Sequence, residues 1–175
     1  MIELPTQEPC EICEGFAGRD PGWAVIDEGQ HTVTVINPYQ YEVGQCCVVT
    51  RRHAASLLDL TDEEAREVLG AARRVASAMI GAFHPLGILT FQNNGVYSDQ
   101  EVPHYHFHVV PRQAGSDWGI GPPQLATFDG VGRIRGLQHD PSDDDARRHR
   151  VRVSAETLHA TAAAIRQHLP SPPSV

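Results

Sequence analysis

The stretch "HYHFHVV" at residues 104–110 sets the tightest limit on the fold, because His104, His106 and His108 alternate with Tyr105, Phe107 and Val109. An extended strand sends successive side chains to opposite faces, so the three imidazoles are expected in a row, roughly 6.8 Å from one to the next. The other face is apolar and suits a core.

Three imidazoles on one strand face admit three readings. They can be packing or surface histidines. They can be metal ligands, since zinc and iron sites use HxH pairs with a third ligand. The first and third rings, on the order of 13 Å apart at the backbone, do not share one ion without a bend. The third reading is nucleophilic catalysis at phosphorus, in which the middle ring attacks and its neighbours supply position and positive charge. A histidine is suited to attack because its ring keeps a lone pair near neutral pH.

Around this strand the chain supplies the parts of one domain. "WAVID" (23–27), "HTVTVI" (31–36), "CCVVT" (46–50) and "ILTFQN" (88–93) read as short strands punctuated by turn residues. Between the third and fourth of these, Ala65, Val68, Leu69, Ala72, Val75, Ala76, Met79, Ile80 and Phe83 recur at helical spacing. Thr61 and Glu64 form a capping box at its start, and Pro85 and Gly87 end it. Leu158, Ala162, Ile165 and Leu169 mark a second amphipathic helix after a Ser154 cap. Residues 113–153 are rich in Gly, Pro and Asp and are read as an irregular extension.

The chain has 175 residues, enough for one domain with a real core. A formal charge of −8 argues against a nucleic-acid polymer as partner. The N-terminus has no basic-then-apolar segment and no run is long enough to span a bilayer, so the expected location is the cytoplasm, away from membranes. In that compartment the four cysteines are expected as thiols or ligands. Cys10 and Cys13 form a CxxC outside any thioredoxin-like setting, which favours structural zinc over redox chemistry and leaves two ligands to find. Cys46 and Cys47 lie in an apolar strand and are expected in the core.

Taken together, "CEIC", "VINP", "VVTRRH", "LDLTDEE" and "FQNNGVYSDQEVPHYHFHVVPR" resemble, in order, the histidine triad (HIT) superfamily of nucleotide hydrolases and transferases, over roughly residues 9–112. The resemblance implies an α+β fold in which helices cover one face of a five-stranded antiparallel sheet and the other face presents the histidines. It implies a homodimer with a continuous ten-stranded sheet. The core is expected at 1–112, the extension at 113–153, and the C-terminal helix and tail of the same domain at 154–175.

The resemblance further implies that His106 attacks the α-phosphate of a purine nucleotide, adenine by analogy, while His108 donates to the phosphate or the departing oxygen. Asn37 corresponds to a ribose contact, and Asn93 and Gln100 to phosphate contacts. His53 and His104 complete the zinc site with Cys10 and Cys13, a closed structural site with no catalytic metal. The implied substrate is a dinucleoside polyphosphate or nucleoside phosphoramidate, with a phosphorylase, a nucleotidylyltransferase or a nucleotide-binding protein as alternatives. Two positions depart from the pattern. Gln45 stands where many members have histidine, and Glu101 stands where a hydroxyl is common.

Overall fold

The computed structural model describes residues 2–18, 23–115 and 151–171. Within them α1 (Glu11–Phe16) precedes β1 (Val25–Glu28), β2 (Thr32–Ile36), β3 (Tyr39–Gln40) and β4 (Cys46–Thr50). Then come α2 (Asp62–Phe83), β5 (Gly87–Phe91), β6 (His106–Arg112), β7 (Val151–Arg152) and α3 (Ala155–Arg166). Five strands form one antiparallel sheet in the order β1-β2-β4-β6-β5. This is the expected α+β architecture. β1 and β5 are the two edge strands, where a second copy would have to join to continue the sheet.

Register decides what each face carries. Val33 pairs with Val49 and Val49 with His106, while Val35 pairs with Cys47 and Cys47 with His108. Paired residues share a face, so the two strand histidines stand beside Val33, Val35, Cys47 and Val49, with Ile12 of α1 packed over that cluster. The alternate residues Ile36, Cys46, Val48 and Val109 face the larger core, where Val68, Val75 and Met79 of α2 meet Leu158, Ala162 and Ile165 of α3. Each buried Val, Leu, Ile or Met among these contributes about 1.5–3 kcal/mol through area removed from water. α3 thus packs into the same core as α2 and the sheet.

The helix signals hold in detail. Thr61 Oγ1 accepts from the Glu64 N–H at 3.2 Å, and the Glu64 carboxylate accepts from the Thr61 N–H at 2.9 Å. Arg52 binds the same carboxylate with Nε at 2.9 Å and Nη2 at 2.7 Å, tying the turn after β4 to the start of α2. The helix stops at His84, whose left-handed backbone (φ 48°) precedes Pro85. Ser154 caps α3 by accepting from the Thr157 N–H. No described helix is long and apolar enough to cross a membrane.

Two features differ from expectation. The histidine strand begins at His106, so His104 precedes the ladder and the expected row of three is broken. A ribbon of β3 and β7 pairs Tyr39 with Arg152 and brings the C-terminal segment against the end of β2. Most of the expected extension at 113–153 lies outside the described residues.

Candidate active site and metal centre

The chain reverses just before β6. The His104 N–H donates to Val102 O at 2.8 Å and the Tyr105 N–H to Ala54 O, and the fully buried His104 ring packs beside Phe16 and His53. A carbonyl oxygen can only accept, so the 2.7 Å contact from His104 Nε2 to Thr50 O fixes the proton on Nε2. The lone pair is then on Nδ1, 3.6 Å from Cys10 Sγ and 3.5 Å from Cys13 Sγ. His53 Nδ1 lies 3.4 Å from Cys13 Sγ, and all four ligand atoms fall within 4.8 Å of one another.

These separations fit a tetrahedral ion. Metal–sulfur bonds near 2.3 Å and metal–nitrogen bonds near 2.0 Å require ligands about 3.5 Å apart along each edge. Burial, followed by the neighbouring Cys10, pushes the Cys13 thiol up to about 11, and burial pulls the His104 imidazole down to about 4. A divalent cation reverses the cost at the thiol and takes up the neutral imidazole. The four residues expected at the zinc site therefore form one Cys2His2 cluster that could hold a metal ion.

His106 and His108 stay on β6 with ring centroids 5.0 Å apart and planes at 90°. His106 Nδ1 is 2.7 Å from His104 O, so it carries the proton and Nε2 keeps the lone pair. Burial lowers the pKa of this ring and favours its neutral form. His108 stacks on Phe91 at 4.3 Å, while its Nδ1 is approached by Gln45 Nε2 at 3.3 Å and Cys47 Sγ at 3.2 Å. Burial pushes the Cys47 thiol up to about 12, so it stays protonated at neutral pH.

Both rings line a cavity of about 700 Å³. Ile12, Trp23 and Val35 give it an apolar wall, and Tyr39 and Arg152 lie at the part formed by the β3–β7 ribbon. The Arg152 guanidinium sits 5.8 Å from the centre of the Tyr39 ring. Asn37 and Asn93 also line the cavity. Each has one amide atom engaged: Asn37 Oδ1 accepts from the Tyr39 N–H at 3.0 Å, and Asn93 Nδ2 donates to Asp99 O at 3.2 Å. Glu101 lines the cavity too.

Gln100 is placed differently. It is 3% exposed, its Oε1 accepts from the Gly95 N–H at 2.7 Å, and its Nε2 donates to Ala55 O at 2.6 Å and Val102 O at 2.9 Å. Its amide braces the loop before β6 rather than lining the cavity. Cys47, expected in the core, is buried but also lines the cavity, and Arg152 was not singled out from sequence. Alternation along "CCVVT" places Cys46 and Cys47 on opposite faces, a signal that becomes useful only once the pairing of Cys47 with His108 is known.

Comparison with known proteins gives a consistent picture. A family model described as HIT domain matches residues 27–115. "Protein hit" of Bacillus subtilis is 33% identical over 114 residues, covering 65% of this chain and 77% of that protein. The adenosine 5'-monophosphoramidase of Saccharomyces cerevisiae is 30% identical over 128 residues, covering 71% and 77%. A crystal structure described as a Zn-bound histidine triad family protein from Mycobacterium smegmatis superposes with a TM-score of 0.60 at 21% identity, covering 91% of this chain and 96% of the other.

Proposed function

The chain belongs to the HIT domain family, and from that premise we propose that it acts at the α-phosphate of a nucleotide, with His106 as nucleophile and a nucleotidyl-histidine as intermediate. One observation carries the proposal: the 2.7 Å bond from His106 Nδ1–H to His104 O leaves the lone pair on Nε2, in a ring that lines the cavity. The lowered pKa of that ring supports attack from the neutral form.

In the first step the Nε2 lone pair bonds to phosphorus and the bond to the leaving atom breaks, its electron pair departing with the leaving group. His106 keeps Nδ1–H, so the nucleotidylated ring carries one positive charge, and the His104 carbonyl faces it. In the second step water adds to phosphorus, the N–P bond breaks with its electrons returning to Nε2, and the proton shed by water passes to solvent. His108 would donate a hydrogen bond to a phosphoryl oxygen as charge gathers there. Asn37 and Asn93 are assigned to the ribose and the phosphate, and Gln100 to holding the loop that carries Asn93.

Zinc is proposed for the cluster of Cys10, Cys13, His53 and His104, whose donor types match it. When bound it supplies a cross-link between α1 and the start of β6, with all four positions taken by the protein. The identity of the yeast relative supports an adenine nucleotide, and its name extends the substrate class to phosphoramidates.

His106→Ala tests the reading. Turnover of diadenosine triphosphate and of an AMP phosphoramidate is expected to fall by at least about a thousandfold, with nucleotide binding retained by calorimetry. Wild-type protein quenched during turnover is expected to gain one nucleotidyl mass on His106. Full turnover in the variant would overturn the assignment.

A further inference from the structure

Gln45 is fully buried at the cavity beside His108, and both ends of its amide are engaged. The backbone N–H of Tyr41 can only donate, so the atom 2.8 Å from it is Oε1. That settles the other end, because Nε2 is then the atom 3.3 Å from His108 Nδ1. An amide N–H aimed at a ring nitrogen requires a lone pair there. The Cys47 thiol, 3.2 Å from the same nitrogen, brings a second hydrogen.

We propose that Gln45 locks His108 as a neutral Nε2–H donor, and that the site for this reason prefers leaving groups that depart from phosphorus as stable anions over amines. The inference rests on the proposed reaction and names its substrate class: phosphoric anhydrides ahead of alkyl phosphoramidates. To hand over a whole proton, His108 would have to begin as an imidazolium with a second proton on Nδ1. That proton would meet the Gln45 N–H head on, with only the weakly accepting Cys47 sulfur beside it. His108 therefore steadies negative charge on the phosphoryl oxygens without serving as a general acid. A phosphate or nucleoside diphosphate leaves unaided as an anion, whereas an alkylamine must gain a proton on nitrogen as its bond to phosphorus breaks.

The charges around the cavity narrow the class. Glu11, Asp99 and Glu101 line it and oppose a long polyanionic tail, while Arg152 is the one arginine among its described lining residues and the chain contains no lysine. A short anhydride is the expected form.

His106 and His108 are thus two residues apart with opposite tautomers. One presents a lone pair and the other a proton, each set by what lies behind its Nδ1.

Gln45→Glu in the full, metal-loaded chain is the test, because one carboxylate oxygen can still accept from the Tyr41 N–H while the other accepts from a proton on His108 Nδ1. The values of kcat/KM are compared for diadenosine triphosphate and an AMP alkylphosphoramidate. Wild type is expected to favour the anhydride by at least about tenfold, and the variant to move that ratio at least about tenfold toward the phosphoramidate. Nitrogen NMR is expected to find the His108 proton on Nε2 alone in wild type and on both nitrogens in the variant.

An unchanged ratio, or a wild type that prefers the amine, would overturn the preference; a wild-type His108 protonated on Nδ1 would overturn the lock. Inactivity of wild type on both substrates would overturn the functional reading and the preference with it, while the nitrogen spectrum still decides the lock. Both wild-type measurements stand if the variant fails to fold.

Discussion

Replacing Gln100 by alanine separates bracing from substrate contact. The side chain makes three hydrogen bonds at 2.6–2.9 Å to backbone groups of residues 55, 95 and 102. Each such bond contributes about 1 kcal/mol net, and a buried group left without a partner costs about 1–3 kcal/mol. Val102 O keeps its bond from the His104 N–H, so that loss is about 1 kcal/mol, and with the Gly95 N–H and Ala55 O left bare the total comes to about 3–7 kcal/mol. For a chain of 175 residues, each kcal/mol lowers Tm by about 2–4 °C, so a fall of roughly 6–28 °C is expected. Urea unfolding of the metal-loaded protein reads the free energy, and a thermal melt reads Tm. Gln100→Glu adds a sign. Its carboxylate would face the carbonyls of Ala55 and Val102, which raises its folded pKa. The variant should therefore approach wild-type stability at low pH and lose it as pH rises through that folded value. A Gln100→Ala protein that keeps wild-type stability but shows a raised KM would refute the bracing account and make Gln100 a substrate contact.

Two further outcomes follow from the same geometry. Arg52 holds the Glu64 carboxyl below its ordinary range, so the contribution of Glu64 is present above the unfolded pKa and fades as pH falls through the folded one; urea unfolding of Glu64→Gln should differ most from wild type near neutral pH and least in acid, and a pH-independent difference would contradict this. Cys13→Ser removes one of four donors and should lower both bound zinc, measured by elemental analysis, and Tm; a variant retaining one ion per chain at wild-type stability would remove Cys13 from the ligand set.

The sequence made the sheet, its two faces and the two long helices α2 and α3 legible because each rests on a local pattern, whereas the six-residue α1 was not anticipated. Alternation along β6 is reproduced by Phe107 and Val109 facing the helices and His106 and His108 facing the cavity. Thr61 with Glu64, and Ser154, fix helix starts through bonds that span three residues. What was not legible depends on distant partners. His104 leaves the strand at a turn over Pro103, and its ring then meets Thr50 O and the two cysteines, partners that the local sequence does not name. The pairing of Tyr39 with Arg152 joins segments far apart in the chain, and two-residue strands carry no periodicity. Gln100 read as a polar group near phosphates, but polarity alone does not tell a backbone brace from a ligand contact.

The group that sets the tautomer of the proposed nucleophile is a main-chain oxygen, that of residue 104, whereas the ring of residue 104 belongs to the cysteine cluster. Every amino acid has such an oxygen. A lineage could therefore shed the N-terminal thiols and put another side chain at this position, and its reactive imidazole would keep the same orientation so long as the bend in the chain survived. The proposed metal site and the proposed phosphoryl chemistry adjoin in this fold and could be inherited separately.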